Sequence, residues 1–149
     1  MNFMDEALME AQKAFDMGEV PVGAVIVKDN KIIGRGFNKK EILNSVVAHA
    51  EIMAIEDASR NLNNWRLNDC IMYVTLEPCP MCAGAILQSR ISKIYIGANE
   101  FKSGACGSAI NLMYDDNLNK FLDVHWEQDD RCFQILKDFF RERRQAKKK

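Results

Sequence analysis

A chain of 149 residues, 48% of them hydrophobic, is long enough for one compact domain with a buried core, expected over residues 1–149. No run approaches the roughly 20 apolar residues that span a bilayer, and Met1–Glu6 lacks the basic and apolar stretches of a secretory leader, so no membrane partner and a cytoplasmic location are expected. The formal net charge of −1 by itself argues against a nucleic-acid protein, and five cysteines, an odd number, fit reduced thiols better than a disulfide framework.

From the N-terminus, Phe3, Met4, Ala7, Leu8, Ala11, Ala14 and Phe15 make a stripe at helical spacing, and Gly18 is placed to stop that helix. Val20 to Val27 is an apolar, β-branched run. Lys28-Asp29-Asn30-Lys31 is a turn, and residues 32–37 return as the second arm of a hairpin. Residues 39–47 read as loop, 49–60 as helix, and Asn61-Leu62-Asn63-Asn64 as a polar break. A third strand covers 71–75, and a helix runs from the Cys-x-x-Cys segment to about Ser89. Residues 93–96 and 121–125 read as further strands, far enough apart in sequence for the crossover that parallel neighbours require. Cys132, Ile135, Leu136, Phe139 and Phe140 place a last helix beneath a basic tail. Arg141 to Lys149 holds six of the 20 basic residues and one of the 21 acidic, which leaves −6 on the first 140. Such a tail can meet phosphates or simply end a solvated helix. This order of elements predicts an α/β fold, a sheet with helices on both faces.

Two fragments carry the chemistry: His49-Ala50-Glu51 and Pro78-Cys79-Pro80-Met81-Cys82. One imidazole and two thiolates suit a single Zn2+ and leave one tetrahedral position for water. Both fragments fall at expected helix starts, where amide N–H groups and the helix dipole favour thiolate over thiol. Pro78 and Pro80 fit there because early helix positions tolerate a missing N–H. Glu51 is suited to move the water's proton, given a pKa lifted by burial beside apolar neighbours such as Ile52 and Val47. A thioredoxin-like redox site also uses Cys-x-x-Cys at a strand-to-helix junction, but it needs no His-x-Glu, and Pro78 stands where its tryptophan would be. A closed structural zinc site needs a fourth donor, and the only other histidine, His125, reads as an ordinary strand residue. Cys70, Cys106 and Cys132 read as small buried hydrophobes.

The chain resembles the zinc-dependent cytidine deaminase-like superfamily, and within it the bacterial tRNA adenosine deaminases. The resemblance covers most of the chain. It rests on Glu19-Val20-Pro21-Val22-Gly23-Ala24-Val25, Gly36-Phe37-Asn38, the run from Ala48 to Ile55, the run from Thr75 to Ala85, and Asp138-Phe139-Phe140-Arg141-Glu142-Arg143-Arg144. It implies a three-layer αβα sandwich with a mixed five-stranded sheet, one Zn2+ per subunit on His49, Cys79 and Cys82, and Glu51 as proton shuttle, the established arrangement of zinc deaminases. It further implies Asn38 hydrogen-bonded to the purine, with Val20, Pro21 and the backbone at Ala48 lining the base pocket. Lys102, in the loop 97–104, becomes a candidate phosphate contact. The implied substrate is the wobble adenosine of a tRNA anticodon stem-loop, converted to inosine, and the implied assembly a homodimer. Three places depart from the family pattern: Asn44-Ser45-Val46-Val47, Glu100 where Asp is common, and the stretch from Asn119-Lys120-Phe121 through Gln128-Asp129-Asp130-Arg131. All three bear on substrate identity rather than on the metal. A deaminase of a free nucleobase or nucleoside, of guanine or cytosine type, is therefore the alternative, and a zinc-bearing binding module without turnover a third reading.

Overall fold

The computed structural model describes residues 2–117 and 120–147. Helix α1 (Phe3–Asp16) starts where the Asn2 side chain accepts a bond from the Met4 N–H at 3.0 Å. Strands β1 (Gly23–Lys28) and β2 (Lys31–Phe37) form the expected hairpin. Asp29 and Asn30, at φ 51° and 62°, make its two-residue turn, the left-handed pair that matches strand twist. The apolar run from Val20 joins the sheet later than its composition suggests. Pro21 has no N–H to give, and the Val22 N–H turns back to the Val20 carbonyl at 2.9 Å, so the ladder begins at Gly23.

Helix α2 (Ala50–Leu62), β3 (Ile71–Val74), α3 (Pro80–Gln88) and β4 (Lys93–Ile96) follow the expected order. The fifth strand of the sheet is displaced from 121–125. Lys120–Phe121 (β6) pairs instead with Tyr114–Asp115 (β5) in a separate small hairpin, and Asp123–Trp126 (β7) takes the sheet edge. An apolar segment that short offers too little alternation to tell two consecutive strands from one. Helix α4 (Asp130–Lys147) starts two residues before the first apolar position of its stripe. Lys148 and Lys149 of the basic tail, and Asn119, lie outside the described residues.

The five-stranded sheet runs β2-β1-β3-β4-β7. The first two pairings are antiparallel and the last two parallel, so the sheet is mixed. Strand alternation divides the core. Ala24, Ile26, Met72, Val74, Ile94 and Ile96 face α2 and α3, where Ala50, Ala54, Ala58, Ala83 and Ile86 meet them. Val25, Val27, Tyr73 and Tyr95 face Met4 and Ala7 of α1 and Cys132 of α4. The result is the αβα sandwich. On the first face, a Cβ at Gly36 would fall on the Ala50 carbonyl oxygen, so glycine there lets α2 lie directly on β2. Among the described residues no helix is long and apolar enough to cross a membrane.

Candidate active site

The parallel strands β3 and β4 end at one edge of the sheet, and α2 and α3 begin there. His49 is the residue before α2 and Cys79 the residue before α3, both extended, and neither side chain caps its helix. Each is thus free to turn toward the other. The His49 Nδ1 lies 3.5 Å from the Cys82 Sγ and 3.8 Å from the Cys79 Sγ, and one donor atom from each residue falls within 4.8 Å of the others. Tetrahedral zinc with ordinary Zn–S and Zn–N lengths would separate N from S by about 3.6 Å. The donor set therefore fits such an ion in type and spacing.

The two thiols share their charge unequally. Cys82 donates its S–H to Cys79, and the backbone N–H groups of Cys82 and Met81 point at the same sulfur, so the Cys79 thiol is lowered to about 5 despite partial burial. Cys82 is pushed far up by that same bond and by burial. Glu51, in the first turn of α2, is only 4% exposed. Burial raises its pKa from 4.5 to about 7, with the Cys79 charge adding to the rise and a backbone hydrogen bond and the Cys82 thiol opposing it. Its apolar surroundings differ from those expected. Val47 is 47% exposed, and the hydrophobic walls beside Glu51 come from Val20, Val22 and Leu76.

His49, Glu51, Cys79 and those three apolar side chains line a cavity of about 210 Å³ together with Asn38 and Glu77. Asn38 is held from both sides. Its Nδ2 donates to the Val20 carbonyl at 3.2 Å and its Oδ1 accepts from the Lys40 N–H at 3.1 Å, which leaves one N–H and one lone pair for a ligand. Pro21 and Ala48 are buried and are not among the lining residues. Lys102 is exposed in its turn, and it is Glu100 and Ser103 of that loop that reach the cavity. A second hollow of about 240 Å³ shares Val20, Asn38 and Lys40 with the first and continues to Phe139, Phe140, Arg143 and Lys147. Part of the basic tail is folded back, since Arg143 donates to the Gly18 carbonyl at 2.6 Å and lies over the Phe139 ring.

Glu19 and Glu77 are functional candidates that motif reading passed over, being both buried and, among the described residues, without a cationic partner. Their signal was a carboxylate at the edge of an apolar run, Val20 to Val27 for Glu19 and Ile71 to Leu76 for Glu77, a placement that costs free energy on burial unless hydrogen bonds compensate it. His125 stands in β7, its ring stacked on Tyr95 at 4.8 Å, away from the donor cluster. Cys70, Cys106 and Cys132 are buried as expected.

The sequence family described as MafB19-like deaminase matches residues 1–144. A tRNA-specific adenosine deaminase of Bacillus subtilis (strain 168) is 44% identical over 147 residues, which cover 98% of this chain and 91% of that protein. A solved structure from work on A-to-I editing by tRNA:A34 deaminases at the wobble position superimposes with a TM-score of 0.86 at 41% identity, covering 90% of this chain and 98% of the other. The guanine deaminase of Bacillus subtilis superimposes with a TM-score of 0.63 at 33% identity, over 80% and 90% of the two chains.

Proposed function

Because the chain belongs to the MafB19-like deaminase family and, within it, to the tRNA-specific adenosine deaminases, we propose that it converts the wobble adenosine of a tRNA anticodon loop to inosine. The observation that carries this reading is the convergence of His49, Cys79 and Cys82 beside a buried glutamate whose pKa stands at about 7. His49, Cys79 and Cys82 would hold one Zn2+, whose chemistry is to polarise a water and bring its pKa toward about 7. Glu51 would take one proton from the attacking water and deliver it to a ring nitrogen of the purine. It would then take the second from the new C6 hydroxyl and give it to the amine, which leaves as ammonia when the C6–N bond breaks and the C6 carbonyl forms. A carboxyl group with a pKa near neutrality can both accept and return that proton at physiological pH. Val20, Val22 and Leu76 keep bulk water from the base, and the pinned amide of Asn38 presents its free N–H and lone pair to the purine edge.

The hollow beside the cavity, lined by Lys40, Arg143 and Lys147 as well as Glu19 and Glu41, supports an RNA rather than a free base. A base deaminase needs nothing outside its pocket, whereas Lys40, Arg143 and Lys147 offer cations in a hollow that shares Val20 and Asn38 with the cavity, suited to the phosphates of a nucleotide whose base is flipped in. The whole chain then acts as a single domain, in the cytoplasm, with a homodimer as its working form by analogy with the family. The test is ammonia release from purified protein given an anticodon stem-loop, adenosine, cytidine or guanine. Turnover of the stem-loop far above the others is expected. Turnover confined to the free compounds would return the assignment to a nucleobase or nucleoside deaminase.

A further inference from the structure

Glu77 sits between the end of β3 and Cys79, and its carboxylate is the anchor of the loop that follows β4. Its Oε1 accepts the Glu100 N–H at 2.9 Å, and its Oε2 accepts those of Cys106 at 3.0 Å and Ser108 at 3.1 Å. Its own N–H donates to the Ala98 carbonyl at 2.9 Å, and the Ala105 N–H donates to the Pro78 carbonyl at 2.9 Å. The fit is close. A Cβ at Gly104 would fall on the Glu77 carboxyl carbon and on the Glu100 carbonyl oxygen. The side chain is 3% exposed. A buried carboxylate that accepts three amide N–H groups from residues six and two apart holds a whole loop in one conformation. From that loop Glu100 and Ser103 reach the cavity.

We propose that Glu77 is a positioning residue for the substrate: it holds the loop 99–108 in its binding conformation before the RNA arrives, so that Glu100 and Ser103 already face the nucleotide. The proposal rests on the tRNA reading for the identity of the substrate, though not for the clamp itself. Glu19, which lines the neighbouring hollow, makes a similar arrangement, accepting the N–H groups of Glu41 at 3.1 Å and Ile42 at 2.7 Å. Without its clamp, the loop must be ordered by the substrate at the moment of binding, and that cost enters KM rather than kcat. His49 and Glu51 are held by the start of α2 and Cys82 by α3, and Cys79, two residues after Glu77, is fixed by the start of α3, so the chemical step keeps its geometry.

The test is Glu77→Gln in the full-length, metal-loaded protein, with Gly104→Ala disturbing the same contact from the loop side and Glu19→Gln as the control for the other loop. Amide exchange at residues 100, 106 and 108 should accelerate at least about tenfold in the first two variants and stay as in wild type in Glu19→Gln, because one lost charge-assisted contact is worth roughly that factor. KM for the anticodon stem-loop should rise about tenfold with kcat within about threefold and the metal content of wild type. A loop that exchanges faster with KM unmoved would reduce Glu77 to a structural residue and overturn the proposal. So would unchanged exchange, or loss of metal together with kcat. If Glu77→Gln does not fold, Gly104→Ala decides by the same outcomes. Should wild type deaminate only a free base, the tRNA reading fails separately. The exchange measurement, made without substrate, still reads the clamp, and KM is then taken on that base.

Discussion

The two faces of the central sheet each carry one of the chain's two histidines, with opposite results. On the α2 and α3 face the contacts are small. Ala50, Ala54, Ala58 and Ala83 pack against the sheet, and the glycine at 36 removes the last bulk between α2 and β2. Helix starts can therefore approach one another, and His49 meets two sulfurs. On the α1 and α4 face the space is filled by rings. Phe3 packs on Tyr73 at 5.3 Å, Tyr73 stacks on Tyr95 at 4.7 Å, and Tyr95 on His125 at 4.8 Å. His125 ends that ladder with Asp123 at 3.0 Å and belongs to no group of three metal-ligating side chains among the described residues. A histidine becomes a ligand where backbone packing brings other donors to it, and an aromatic spacer where side chains hold the backbones apart.

The comparison can be broken most severely at the donors. His49→Ala should abolish stoichiometric metal and with it measurable turnover, while His125→Ala should leave both at wild-type levels; metal analysis beside the deamination assay reads the contrast. Loss of metal in His125→Ala would mean that the two faces are not independent.

Glu51→Gln should lower kcat by about 10²- to 10⁴-fold with metal retained, and it separates function from stability on the same face. The folded pKa of Glu51, about 7, lies above its ordinary 4.5. Below pH 4.5 the carboxyl group is protonated in both the folded and unfolded chain and costs nothing. As pH rises from 4.5 to 7 the unfolded state releases its proton first, so native stability falls by an amount approaching 3 kcal/mol, of order 1.4 kcal/mol per pKa unit. In metal-stripped protein the glutamine variant should therefore melt higher than wild type at pH 8 and alike at pH 4. Equal melting temperatures at both would show that Glu51 is not desolvated.

A smaller effect is expected from the ring ladder. Tyr95→Leu removes two ring contacts and should cost about 1–2 kcal/mol in denaturant unfolding, with metal content and KM unchanged. A fall in metal content would again couple the faces.

The smallest effect concerns the tail. Lys147→Ala should weaken stem-loop binding by a few-fold and reduce the magnitude of the salt slope by about one. Arg143 is less suitable for that measurement, because its bond to the Gly18 carbonyl mixes stability into the result.

Local chemistry decided much of this protein in advance. The His-x-Glu and Cys-x-x-Cys spacings, the turn at residues 28–31 and the apolar run that contains β1 are all short-range, and each was legible because neighbours in sequence are neighbours in space. Strand β7 and the hairpin of β5 and β6 were blurred, since choosing a partner for runs as short as Phe121-Leu122 is a long-range matter. The roles of Glu19 and Glu77 were invisible for the same reason. Each carboxylate is made tolerable by amide groups some 22 to 31 residues away in the chain, and only tertiary packing brings those amides to it. Residue types and spacings determined which atoms could do chemistry. The folded chain alone decided which of them share a cavity, because convergence depends on how closely backbones can approach.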